Sequence, residues 1–388
     1  MLSRNEILIF LLMFPIIKPD SIREIAPLME TLFDIGRLIS VFLILIIYCS
    51  TLRKKTGIRS SLWVLMLLEV WIVFVTAVNN PDRLFASIIN GCAIVAVFML
   101  VESFSQSDTK ALLKALMANF EWVIYVNLIT QILFPEGVYQ FREHPCYFLG
   151  LNNSAVIYLL PAVIISYLNY VCLGSKLRPL LLLMASTVSV IIGWCATSIV
   201  GLITLAIVLI FLKTKRTSET FKLLYIWIIS IVFDLLISVF RIMEIFPPFR
   251  SFIENFLRKS TTLSGRTYIW DQTLRYWARY PLIGNGYDTT LPFEASYVSH
   301  AHNAYLQYLL IGGIIGLIIF VAFNLLSISY FDASCGTSRS GKGFKAAFAV
   351  LFVTYITEAC NYPLLFVLYS LADCISIFVD LEYRSGMH

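Results

Sequence analysis

Apolar runs of about the length a helix needs to cross a bilayer core alternate along the chain with short polar connections. Twelve can be marked, at roughly 3 to 17, 33 to 50, 61 to 78, 83 to 101, 113 to 134, 153 to 173, 178 to 194, 198 to 212, 222 to 240, 303 to 328, 345 to 360 and 363 to 381. The first, seventh, eighth and eleventh are short, and the seventh and eighth also read as a tight helical hairpin around residues 194 to 198. The one long interruption, Arg241 to Asn303, falls between the ninth and tenth runs. The pattern predicts an all-α polytopic membrane protein of about twelve transmembrane helices. It forms one integral-membrane domain over 1–388, with a long loop at 241–303.

Inside that loop two stretches carry helical periodicity. Phe249, Phe252, Ile253, Phe256 and Leu257 alternate with Arg250, Glu254, Arg258 and Lys259, which predicts an amphipathic helix for the membrane surface. A second helix is expected after Ser264 as N-cap, carrying Tyr268, Trp270, Tyr276, Trp277 and Tyr280 with Arg266, Arg275 and Arg279, and ending at Pro281. Aromatic rings beside cations favour the interfacial layer.

Charge sets the orientation. With the N-terminus inside, the connections at 51–60, 102–114, 174–178, 213–222 and 331–345 are all basic, whereas the others, apart from the long loop, are poor in Lys and Arg. Both termini are therefore expected in the cytoplasm and the 241–303 loop outside. Composition agrees: 59% of residues are hydrophobic, mean hydropathy is +0.81, and only 14% are charged, against about a quarter in soluble proteins. The net charge of +5 belongs to membrane-flanking loops and points to the bilayer as partner, not to nucleic acid. The eight cysteines include no C-x-x-C pair, so neither zinc nor a disulfide framework is indicated. Residues 5 to 17 precede Lys18-Pro19-Asp20 with no small-residue cleavage site and read as a retained first span.

Candidate chemistry is sparse. Arg266, in the first turn of its helix, suits a phosphate, since free N–H groups and a guanidinium fork converge there. The turn Pro281-Leu282-Ile283-Gly284-Asn285-Gly286 offers backbone N–H groups that could face an anion. His302 stands where the loop re-enters the membrane and has a side chain suited to proton transfer near neutrality. His300 and His144 fall on the same side, and the residues alone do not rank the three. Asn303 and Gln307 are candidates for sugar hydroxyls. Arg37 lies inside the second span, either paired with Asp34 or open to an anion. Arg142 is a further phosphate candidate, and Glu358, near the outer end of the eleventh span, is placed to orient His302 or Arg266. Arg275 and Arg279 read first as headgroup cations, with Arg275 also a substrate-binding candidate. Glu69, Glu121 and Asp234 lie deeper and would suit an ion pathway.

Four blocks in order carry a family resemblance: Leu263-Ser264-Gly265-Arg266-Thr267-Tyr268-Ile269-Trp270, the Pro281-to-Tyr287 turn, His302-Asn303-Ala304-Tyr305-Leu306-Gln307, and Gly312-Gly313-Ile314-Ile315-Gly316-Leu317. Together they resemble the O-antigen ligase and O-antigen polymerase superfamily. Phe148-Leu149-Gly150-Leu151-Asn152-Asn153 is similar to that family's Asn-containing entry to a central span, which adds Asn153 to the candidates. The resemblance implies a GT-C-type, metal-independent, cofactor-free inverting glycosyltransferase of the bacterial cytoplasmic (inner) membrane, active on its outer face. It implies undecaprenyl-pyrophosphate-linked oligosaccharides as substrates, and a chain-length regulator and a flippase are the further partners expected. Carried onto this chain, Arg266 holds the pyrophosphate and His302 deprotonates the acceptor hydroxyl.

The chain departs from many ligases in one place. Its short hairpin reads Thr197-Ser198-Ile199 with no arginine, which favours a repeat-unit polymerase of O-antigen, capsule or exopolysaccharide over a ligase that moves a finished glycan to lipid A core or another acceptor. The loop is expected to bring Arg37, Arg142 and Glu358 to one pocket. A lipid-linked sugar flippase is the reading of another class, and the absence of matching halves speaks against it.

Overall fold

The computed structural model describes residues 3–52, 59–141, 144–152, 155–251, 254–255, 265–293 and 296–384. Helix α1 (Arg4–Met13) starts in a capping box, the Ser3 hydroxyl accepting from Glu6 N–H while Glu6 reaches back to Ser3 N–H. A short α2 (Ile22–Ile25) leads into α3 (Pro27–Leu52), α4 (Ser60–Asn79) and α5 (Leu84–Ser107). Asp108 caps α6 (Thr109–Leu133) through Ala111 N–H. Then come α7 (Ala155–Leu173), α8 (Leu177–Gly193), α9 (Ala196–Phe211), short α10 (Lys215–Thr220) and α11 (Leu223–Ser238). The loop region contributes α12 (Ile242–Ile245), α13 (Pro247–Ser251) and α14 (Arg266–Trp277). The chain finishes with α15 (Ala304–Ser334), α16 (Arg339–Tyr355), α17 (Pro363–Asp373) and α18 (Ile375–Arg384).

A helix thus stands at each of the twelve apolar runs. Six of the described helices are long and apolar enough to cross a membrane alone, and α17 with α18, bent by 60°, would make a seventh. Helices α8, α9 and α11 are apolar but shorter. Large apolar side chains face outward, such as Phe42 on α3 and Ile210 on α9, a surface that only lipid would cover without penalty. The protein is mostly helical and membrane-embedded. Its centre is α17, buried along its whole length against α5 and α7, where Tyr369 joins Tyr355 (2.7 Å) and Asn324.

Three expectations change. The fold is not purely α: β1 (Tyr139–Phe141), β2 (His144–Tyr147) and β3 (Gly150–Leu151) form an antiparallel sheet, and β4 (Leu291–Phe293) pairs with β5 (Ser296–Val298). Strands of two to four residues are too short for alternation to announce. Helix α16 ends at Tyr355, so Glu358 lies beyond it, in the irregular link to α17. The amphipathic helix expected around 249 to 259 lies largely outside the described residues, as does Ser264; α14 is preceded by Gly265 at φ 85° with no side-chain cap.

The glycine blocks have an architectural meaning. Helix α15 breaks at Gly313 (φ 65°, ψ −164°), and the 281–286 turn docks into the break. Asn285 and Gly286 N–H donate to Leu310 O and Ile311 O (2.8 and 3.1 Å), while Ile314 and Ile315 N–H donate to Pro281 O and Leu282 O (3.0 and 3.2 Å). Gly284 N–H is taken by Tyr280 O at 2.8 Å. These N–H groups are therefore committed within the protein and do not face an anion. Helix α4 completes the joint through Trp71 to Gly312 O (2.8 Å) and Asn79 to Gly284 O (2.7 Å). A Cβ at Gly313 would strike the Leu282 carbonyl in a left-handed backbone. Gly313→Ala is expected to cost about 2–4 kcal/mol, read as a lowered melting temperature in detergent with little effect on the chemistry of the molecules that remain folded.

Candidate active site

Three segments distant in sequence converge where the loop meets the bundle. The start of α15 is tied at several points. Asn303 is its N-cap, accepting from Leu306 N–H at 2.9 Å, and its amide donates to Asp234 Oδ1 on α11 at 2.5 Å. Gln307 accepts Ala301 N–H (2.7 Å), and Trp270 Nε1 donates to His302 O (3.4 Å). Between these ties His302 adopts φ 47°, a left-handed conformation unfavourable for a residue with a Cβ. Strain of that kind persists only where surrounding bonds over-determine it, and it aims the imidazole.

Arg266 opens α14, and its Nη2 donates to Glu358 Oε1 at 2.7 Å. The other oxygen, Oε2, lies 3.4 Å from His302 Nδ1. The pair is largely withdrawn from solvent, with side chains 12% and 8% exposed. Glu358 thus stands between guanidinium and imidazole. Burial pushes its carboxyl up, but Arg266 and the two neighbouring histidines outweigh that and hold it below its ordinary value of 4.5. His302 Nδ1 is buried and makes no hydrogen bond at this distance, and a carboxylate beside it favours the tautomer that carries its proton on Nδ1 and leaves Nε2 to take one. Arg266 spends one terminal nitrogen on Glu358, leaving donors of its guanidinium fork for an anion.

His300 lies beside His302, ring centroids 4.3 Å apart. Burial pushes its imidazole down to about 3, so it is neutral at physiological pH. His144 is exposed on β2. Of the three histidines, His302 is the one that lies beside the Arg266–Glu358 ion pair.

The other candidates separate. Arg142 and Asn153 lie outside the described residues. Asn303 is fully buried with both side-chain polar atoms engaged, so it positions the His302 loop and is not free to meet a sugar. Arg275 is exposed on α14, about 13 Å along the helix from Arg266. Asp34 pairs with Lys18 at 2.9 Å and not with Arg37. Arg37, about 15 Å into α3, has its Nε buried without a hydrogen-bond partner and acts on Asp20 and Tyr287 instead of joining the cluster. The deeper acids do not form one pathway: Glu121 pairs with Arg178, Asp234 with Asn303, and Glu69 packs against Gly91. Among the described residues no three His, Cys, Asp or Glu side chains group as a metal site.

Sequence reasoning missed Arg241. In a left-handed conformation (φ 54°) after α11, it donates to Thr267 O (2.9 Å) and Asp271 (2.6 Å), and its guanidinium lies 5.5 Å from the Trp270 ring. It brings a second cation to the first turns of α14, with Nη1 buried and unpartnered. As the first polar residue after the ninth apolar run it read merely as the loop's start. The arginine-free hairpin reaches the same neighbourhood, Thr197 Oγ1 lying 3.3 Å from the hydroxyl of Thr357, next to Glu358.

Residues 146–321, from β2 into α15, match the family model described as O-antigen ligase. Over this stretch the chain is similar to the O-antigen ligase family. The match contains Arg241, Arg266 and His302, while Glu358 lies beyond it. No curated protein matches the chain.

Proposed function

We propose that this chain is a member of the O-antigen ligase and polymerase superfamily and transfers a glycan from a lipid pyrophosphate to a sugar hydroxyl, as an inverting repeat-unit polymerase at the outer face of the bacterial inner membrane. The observation that carries the reading is the Arg266–Glu358–His302 cluster, assembled from three separate segments within a superfamily that handles O-antigen. In the reaction the acceptor O–H bond breaks, its proton passing to His302 Nε2. The hydroxyl oxygen bonds to the anomeric carbon from the face opposite the leaving group, and the C–O bond to phosphate breaks, the electron pair leaving with the lipid pyrophosphate. Arg266, with Arg241 nearby, meets the charge that grows on that pyrophosphate. Glu358 holds the imidazole and balances the imidazolium as it forms.

A ligase uses the same cluster and differs only in acceptor. The hairpin without arginine favours the polymerase. A flippase would need no base and no histidine beside a buried ion pair. The readings part in one assay: purified chain in nanodiscs with a defined lipid-linked repeat as sole donor and acceptor. The polymerase gives a ladder of lipid-linked products, whereas glycan moved only onto an added lipid A core would establish a ligase, and translocation without new glycosidic bonds a flippase.

A further inference from the structure

At the end of the bundle away from the cluster, α7, α8, α9 and α16 part around a cavity of 470 Å³, within the range of about 300–1,000 Å³ common for small-molecule sites. Helix α16 sets the separation. Gly343 lines the cavity, and about 18 Å of helix runs from it to Tyr355, beyond which Glu358 lies. The walls are apolar, with Ile164 on α7, Leu183 on α8, Leu209 on α9 and Ala347 on α16. Leu183 and Leu209 are also exposed on the flank of the bundle, so the cavity opens sideways to the bilayer. Toward the cluster the same four helices leave a space of only 40 Å³. A chain seated in the cavity therefore stops short of Arg266.

The polar groups gather at one rim. Lys176 is exposed at the start of α8, which begins without a side-chain cap. Open N–H groups of a first helical turn and a lysine beside them favour an anion. Arg339, at the start of α16, places its guanidinium 5.8 Å from the ring of Tyr170, another lining residue. Of the acids near this rim, Glu121 takes Arg178, and Glu382 accepts the N–H groups of Arg339 and Ser340. The groove between α1 and α3 offers the contrast: it is apolar and nearly as large, at 420 Å³, but no charged side chain stands among its described lining residues.

We propose that the cavity between α7, α8, α9 and α16 seats an acyl chain of an anionic phospholipid from the surrounding bilayer, with its phosphate at Lys176 and the α8 N-terminus. Juxtamembrane cations attract an anionic headgroup, and the apolar walls below them take the chain. With the basic connections in the cytoplasm, this lipid belongs to the inner leaflet, across the membrane from Arg266, and has no part in glycosyl transfer.

The test uses the full chain in nanodiscs of phosphatidylcholine with a minor fraction of phosphatidylglycerol of the same acyl chains, released for native mass spectrometry. Phosphatidylglycerol should be retained about tenfold above its share of the bilayer, as two juxtamembrane cations predict. Lys176→Glu combined with Arg339→Gln should abolish that enrichment. Leu183→Trp, which fills the groove from an exposed position, should release the retained lipid, whereas Leu43→Trp in the α1–α3 groove should not. Retention in the wild type at no more than the bilayer share, enrichment that survives the double substitution, or release by Leu43→Trp in place of Leu183→Trp would overturn the proposal. Displacement of the phosphatidylglycerol by an equal amount of undecaprenyl phosphate would overturn it as well, making the cavity a seat for a polyprenyl carrier. Melting curves identify any variant that fails to fold, and the wild-type enrichment then decides alone.

Discussion

Arg266→Ala is expected to lower glycosyl transfer by about 10³-fold, the scale of losing a preorganised charge at a developing anion, and to destabilise the protein by about 3–5 kcal/mol. The second effect follows from Glu358, which the substitution leaves buried beside His302 and His300 without its guanidinium. In the intact protein the Glu358 carboxyl sits below 4.5, so its contribution to stability is present above that pH and fades as pH falls through the lower, folded value. With Arg266 gone, burial, the largest single influence, is opposed by the two histidines alone and is expected to raise the carboxyl above 4.5. The sign then inverts: the unpaired carboxylate destabilises at neutral pH, and acidification relieves it. Melting curves at pH 5 and pH 8 would show the wild type no more stable at the lower pH and Arg266→Ala more stable there. Arg266→Lys restores the charge without the planar fork and should recover stability better than activity.

His302→Asn should remove most of the transfer rate, about 10²–10⁴-fold, the usual contribution of a positioned base. Asparagine is the informative substitute because it tolerates the left-handed backbone (φ 47°) better than alanine. The fold, the Asn303 cap and the tie to Asp234 should survive, so the loss should appear in kcat while KM for both lipid-linked substrates holds. An equal loss in a variant that melts early would assign the histidine to structure instead.

How far the site was legible differs from residue to residue. Arg266 and His302 could be singled out because each opens a helix next to a polar loop, a local signal. Their common partner, Glu358, was named but placed in a span, because apolar residues continue past Tyr355 where the helix stops. The glycines of the 281–286 turn and the Gly312-Gly313 pair were visible as a motif, yet their role was misread. Spacing shows that a backbone position needs glycine, not whether the freed N–H groups meet a ligand or another strand of the same protein. Asn303 invited the same error, its amide being spent on Asp234 some seventy residues earlier in the chain. Arg241 went unnoticed because its partners, Thr267 and Asp271, lie across the loop. Pairings of that reach leave no mark on periodicity. The short strands escaped for a different reason: two to four residues are too few to display a period.

We infer that the Arg266–Glu358–His302 cluster performs glycosyl transfer. The most direct test is the rate of new glycosidic bond formation from a defined lipid-pyrophosphate-linked repeat by purified protein in nanodiscs, comparing wild type with His302→Asn of matched melting temperature. The wild type should elongate the repeat and release lipid pyrophosphate, while His302→Asn should bind the donor and form product at least about a hundredfold more slowly. Product formed by His302→Asn at the wild-type rate would show that the cluster's histidine is not the base.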